Sequence, residues 1–380
     1  MSKRTRSILM WVLIVVGTLI LLVGSLTVWV KRQALDTNAW TDTSGQLLQN
    51  NDVRQALSVY IVDQLYQNGA VEARLQDRLP PNLSGLAGPI AGALREPLQS
   101  AVNRFLERPR VQQAWKNANR VAHKQLIAIL EGKSKGAVST SGGEVTLDLR
   151  TFIVNVATQL GVPAGLEARL PPDAGHITIM KSSQLDAAQK SLKVLKALSW
   201  ILIFAALAAY AGAIWLAKGR RRETLRIIAC AFIFVGILLL VIRRVAESYI
   251  VNALTSGVSL RDAADATWLI GTSLLAKVAW GLIIYGVIAL IGVVLAGPSG
   301  WATRFRAWLA PLLRDHPGTA WAVLAGAFLI LVLWGPTPAL RTWLGVLILA
   351  GLVAIGFEAF RRVTVGELGS GGGSAPRPSS

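Results

Sequence analysis

Cysteine, histidine and charge are all scarce in this chain of 380 residues, and each shortage excludes something. The one cysteine, Cys230, lies inside an apolar run, so the chain forms no intramolecular disulfide, and a single thiol cannot by itself make a structural zinc site. The three histidines, His123, His176 and His316, fall in three separate segments and cannot meet as one metal site within a chain. No H-E-x-x-H, Walker loop, G-x-S-x-G, Cys-x-x-Cys or G-x-G-x-x-G is present, so the sequence offers no catalytic residues, no metal ligands and no cofactor. Charged residues make up 16%, against roughly 25% in soluble domains, while 53% are hydrophobic. That leaves too little polar surface for an ordinary cytosolic enzyme and places the chain in a membrane. Acidic residues are also few, 21 against 39 Lys and Arg, for a net charge of +18. The basic residues gather at the ends of apolar segments, which fits anionic head groups and membrane orientation and argues against nucleic acid as a partner.

What the sequence does have is long apolar runs. Lys3, Arg4 and Arg6 precede 23 uncharged residues, Ile8 to Val30, and Lys31-Arg32 follow without a small-residue cleavage site. This reads as a retained signal anchor with the N-terminus inside. Five further runs are expected to span: 198–216, 227–242, about 268–296, 320–334 and 339–357. With six spans, the predicted inside segments carry 13 Lys and Arg and the short outside segments 4, the asymmetry expected of a protein with both termini cytoplasmic. The fold class expected is a mainly α membrane protein with six transmembrane helices and a mostly helical extracytoplasmic domain containing a small antiparallel sheet. Its parts are 1–30, cytoplasmic N-terminus and anchor; 31–197, the extracytoplasmic domain; 198–362, a five-helix block with an amphipathic cytoplasmic loop over 298–317; and 363–380, a flexible Gly/Ser/Pro tail. The location expected is the inner (plasma) membrane.

Within 31–197, the apolar positions Val53, Leu57, Tyr60, Ile61 and Leu65 make a helical stripe after the cap candidates Asn51 and Asp52. Another helix starts at Pro109 and stops at Gly132. Between 136 and 149 the period changes to two, predicting a hairpin, and 176–180 adds a short strand, the sheet lying between a helix over 149–160 and the helix that re-enters the membrane.

Two places carry candidate function. On a helix, Trp115, Asn119 and His123 follow at i, i+4 and i+8, with Arg120 on the adjacent stripe. The plainer reading is a structural network, Trp115 in the core and Asn119 and His123 bonded to a neighbouring sheet or loop. The sharper one is a face that recognises an anionic envelope component through Arg120 and His123. Lys277 is the other candidate, because an ionisable side chain within a span is a functional hypothesis by default. Snorkelling to the outer interface beside Trp280 is favoured over an ion or proton relay.

The Asp36-Thr37 entry with Trp40, the 115–123 run, Ser182 with Leu185, and Gly297-Pro298-Ser299 together resemble a family of uncharacterised actinobacterial integral membrane proteins with one anchor, an external domain and a C-terminal helical block. The resemblance covers most of 1–315 and implies the layout; it carries over no activity and no site residues. The expected function is a non-enzymatic envelope protein whose external domain engages a protein, lipid or glycan partner, with the lipid bilayer around it and a homo-oligomer open; the alternative is a transporter or channel component using Lys277.

Overall fold

The computed structural model describes residues 2–67, 70–80, 82–132, 138–139, 144–148, 176–254, 258–297 and 300–335, with scattered positions between 343 and 364. Helices dominate. In chain order they are α1 (Lys3–Leu35), α2 (Thr37–Gln49), α3 (Asn51–Gln67), α4 (Ala70–Arg78), a 3-10 turn Ser84–Leu86, α5 (Ala87–Glu107), α6 (Pro109–Leu130), α7 (Ser182–Leu216), α8 (Arg221–Leu254), α9 (Val258–Gly271), α10 (Ser273–Leu295), α11 (Gly300–Asp315) and α12 (Pro317–Trp334).

Four of these helices are long and apolar enough to cross a membrane: Lys3–Leu35, Leu185–Leu216, Arg221–Ala253 and Ser273–Leu295. The chain is a multi-pass membrane protein, and the expected six spans are corrected to four among the described residues. The fifth expected span is α12, apolar but only 18 residues, about 27 Å of helix against a hydrocarbon core of about 30 Å. The region of the sixth holds a shorter apolar helix, Leu349–Glu358. The expected span over 268–296 is broken as well: α9 ends at Gly271 and α10 begins at Ser273.

Three strands, β1 (Val138–Ser139), β2 (Glu144–Asp148) and β3 (His176–Lys181), pair antiparallel in the order β1-β2-β3, with a register shift between Val145 and Thr146. Their substantial contacts among the described residues are with one another, so the fold class is helical and the strands are an appendage to it. The expected helix over 149–160 lies outside the described residues.

The chain divides into two compact units. The first comprises 1–26, 200–242 and 274–380; the second comprises 27–199 and 243–273. In the first, Met10, Ile14, Tyr210, Ala213, Ala217 and Ile228 form a buried cluster. Thr224 donates to the Met10 sulfur at 3.3 Å, and the hydroxyls of Thr18 and Tyr210 lie 3.2 Å apart. Helices α8 and α10 cross through glycines. A Cβ placed on Gly236 would stand 2.6 Å from the Ala279 carbonyl oxygen, and one on Gly286 would stand 2.9 Å from that of Ala229. Small residues permit such an approach where lipid supplies no hydrophobic drive between helices. At Gly326 of α12, by contrast, an added Cβ would meet nothing within 4 Å.

In the second unit α2 packs on α6, α3 on α5, and α9 on α3 and α2. Leu48, Leu106 and Val111 are its buried centre. On α3 the expected Leu57 and Ile61 pack, partly buried, against this centre, while Arg54, Ser58 and Val62 are buried more deeply and Tyr60 is 61% exposed. The cap is also one residue earlier, Asn50 Oδ1 accepting from the amides of Asp52 and Val53.

One device recurs in both units. The last carbonyls of a helix lack intrahelical donors, and here side chains from outside each helix supply them. Arg6 donates to Leu216 O, Arg54 to Leu48 O and Gln49 O, His123 to Ala34 O, Gln189 to Ile129 O, and Arg243 to Leu269 O. Cationic donors are favoured at these negative helix ends.

Candidate functional site

The polar residues that the sequence singled out meet where the end of α1, the start of α2 and the middle of α6 come together. Asp36 is the N-cap of α2, its Oδ1 accepting from the amides of Asn38 and Ala39 at 2.9 and 3.1 Å. His123 is 4% exposed. Its Nε2 lies 3.1 Å from Ala34 O and its Nδ1 3.1 Å from the Thr37 hydroxyl. A carbonyl only accepts, so Nε2 carries the proton and, in the neutral ring, Nδ1 accepts from Thr37. Burial pushes the imidazole pKa below its ordinary value, against the smaller opposing pulls of the Ala34 carbonyl and the Asp36 charge. Trp40 stacks on the ring with centroids 5.2 Å apart and planes 20° from parallel.

The other members stand outside this network. Trp115, expected in the core, is 38% exposed, and its indole N–H donates to Ser44 O at 2.9 Å. Beside it, Gly45 of α2 is covered by the Lys116 stem, which an added Cβ there would strike. Lys116 therefore holds the tight contact and the indole lies beside it. Asn119 donates to the Trp115 carbonyl of its own helix at 3.0 Å, not to a sheet or loop. Arg120 donates to Asn38 Oδ1 at 3.2 Å on the surface. The structure thus joins His123 to the helix ends and leaves Trp115, Asn119 and Arg120 on an accessible face, with Trp40, 39% exposed, beside His123.

Lys277 occupies the second turn of α10 and is exposed, with no hydrogen bond or ion pair among the described residues. No three His, Cys, Asp or Glu side chains come together as a metal set among the described residues.

Two polar centres escaped the sequence reading. Arg54 is 7% exposed at the end of α2, within 3.6 Å of Glu107. Arg243 donates from Nε to the Thr272 hydroxyl at 2.8 Å and from Nη2 to Leu269 O at 3.1 Å, while the Trp268 indole donates to the Arg243 carbonyl at 3.2 Å. This clasp sits at the break between α9 and α10. The one signal for it in the sequence is Arg243-Arg244 closing the apolar run of α8. Comparison of the chain with protein-family models, with curated proteins and with solved structures finds no match.

Proposed function

We propose that the chain is a non-enzymatic protein of the inner (plasma) membrane, with both termini cytoplasmic, whose second unit faces outward and recognises a protein, lipid or glycan of the envelope. Orientation is supported by charge. Lys3, Arg4 and Arg6 precede the first span and five Lys and Arg lie between 218 and 226, against three between 243 and 272. That is the layout implied by the resemblance to the actinobacterial family with an anchor and an external domain.

The observation that carries the reading is the surface of α2 and α6. Two indoles, Trp40 and Trp115, stay 39% and 38% exposed although their inner edges are fixed by a stack on His123 and a bond to Ser44 O. Pre-organised indoles beside an arginine are the composition of binding hot spots, since little side-chain entropy remains to be lost on contact. The transporter alternative rests on Lys277, which is exposed and has no carboxylate partner among the described residues.

A photo-crosslinking amino acid at Asn119 in intact cells, followed by mass spectrometry, tests the reading. The expected result is a discrete adduct, lost in Arg120→Ala while thermal unfolding stays unchanged. An adduct between two copies of the chain would make the partner a homo-oligomer. No adduct, or one indifferent to Arg120→Ala, overturns the proposal.

A further inference from the structure

The second unit contains an open cavity of about 660 Å³. That is within the range of small-molecule sites. Its walls include Trp29 of α1, Leu57 and Tyr60 of α3, Val251 of α8, and Ala264 and Trp268 of α9. Of its lining, Trp29 lies in the candidate span Lys3–Leu35 and Val251 near the end of Arg221–Ala253, while Thr272 immediately precedes Ser273–Leu295. The cavity is therefore lined in part by the end turns of helices long enough to cross a membrane.

The buried polar atoms of the lining are almost all spent, and the Tyr60 hydroxyl belongs to a side chain 61% exposed. Thr267 donates to Ala263 O at 2.7 Å and Thr272 to Trp268 O at 2.6 Å, and the Trp268 indole is held by Arg243 O. The Trp29 indole Nε1 is the exception: it is buried and has no partner among the described residues. An unpaired buried donor is unfavourable by about 1–3 kcal/mol. A ligand that relieves it must be apolar along its length and bring one acceptor. A sugar or a peptide backbone brings many polar groups that these walls cannot satisfy. A fatty acyl ester brings one carbonyl at the head of an apolar chain.

We infer that this cavity holds one acyl chain of a bilayer phospholipid, its ester carbonyl accepting from Trp29 Nε1–H. Lys31 and Arg32 follow Trp29 in the last turns of α1. The site is separate from the α2–α6 face, and its occupancy does not depend on whether that face has a partner.

The purified full chain is reconstituted in nanodiscs of phosphatidylcholine with a minor fraction of phosphatidylglycerol, then released into mild detergent for native mass spectrometry. One phospholipid should stay with each chain. Trp29→Phe, which keeps the ring and removes the donor, should weaken retention about 3- to 10-fold. Trp200→Phe, at an indole 54% exposed, should leave it unchanged. Ala264→Trp, which fills the cavity, should abolish it. Should Ala264→Trp not fold, a photolabel on the acyl chain reads the same point, because α3 and α9 do not cross the membrane and should nevertheless be marked. Parent protein without retained lipid, equal losses in Trp29→Phe and Trp200→Phe, or labelling confined to α1, α7, α8 and α10 overturns the inference.

Discussion

The Nε2–H of His123 donates to the carbonyl oxygen of Ala34 at 3.1 Å, tying the middle of α6 to the last turn of α1. That carbonyl is one of the four that a helix end leaves without a partner. Removing the donor breaks a part-buried hydrogen bond and removes the stack on Trp40, so His123→Ala should destabilise the protein by about 1–3 kcal/mol. Thermal unfolding of the full chain in detergent measures this.

The same residue sets a pH dependence. Burial holds the folded imidazole below its ordinary value of 6.5. As pH falls past 6.5 the unfolded chain takes up a proton first, and uptake favours unfolding. This contribution is therefore complete above pH 6.5 and is lost as pH falls from there toward the folded value. Unfolding curves between about pH 7.5 and 5.5, above the ordinary carboxylate range, should show a slope that His123→Gln flattens. An equal slope in the variant would assign it to another group.

Arg54 is the buried counterpart at α2, its guanidinium on the carbonyls of Leu48 and Gln49. Its ion-pair partner Glu107 has 65% of its side chain exposed, so the pair itself contributes little. Arg54→Met keeps the length and loses the donors, and should cost about 1–3 kcal/mol in chemical unfolding. Glu107→Gln should cost less than about 0.5 kcal/mol.

These residues show where sequence reading stops. The apolar run after Arg6, the Pro109 start of α6 and the Gly132 turn, with φ of +70°, are local signals and can be read directly. The buried face of α3 could not be, because Arg54 and Ser58 look like solvent residues until the end of α2 is placed beside them. His123 stood out as polar among apolar neighbours. Its main partner is a backbone carbonyl, which every residue has, so nothing in the letters pointed to Ala34. The break at Thr272 was invisible for a different reason: composition stays apolar across it, and the clasp that ends α9 comes from Arg243 on another helix.

Orientation is tested by cysteine accessibility in a Cys230→Ser background. Gly85→Cys lies in the second unit, where an added Cβ meets nothing within 4 Å. Thr303→Cys lies on α11, past the fourth span. With the second unit outside, a membrane-impermeant maleimide should label Gly85→Cys in intact cells and label Thr303→Cys after lysis alone. The reverse pattern would invert the protein.

The α8–α10 crossing makes the sharpest stability prediction. Gly236 and Gly286 each face the backbone of the opposite helix, at the Ala279 and Ala229 carbonyls, and a carbonyl cannot swing aside as a side-chain tip can. Alanine at either position must push the helices apart, and overpacking of this kind typically costs about 1–3 kcal/mol. Gly292, on the same α10, has nothing within 4 Å of an added Cβ. There alanine relieves backbone entropy instead, for a gain of about 0.5–1 kcal/mol. Gly236→Ala and Gly286→Ala should therefore lower the unfolding temperature in detergent and Gly292→Ala should raise it. Because both glycines serve one interface, the double variant should be destabilised by less than the sum of the two single changes: once the helices have parted for one methyl, the second finds room. Full additivity would mean that the two contacts are independent and that the helices do not move as rigid bodies.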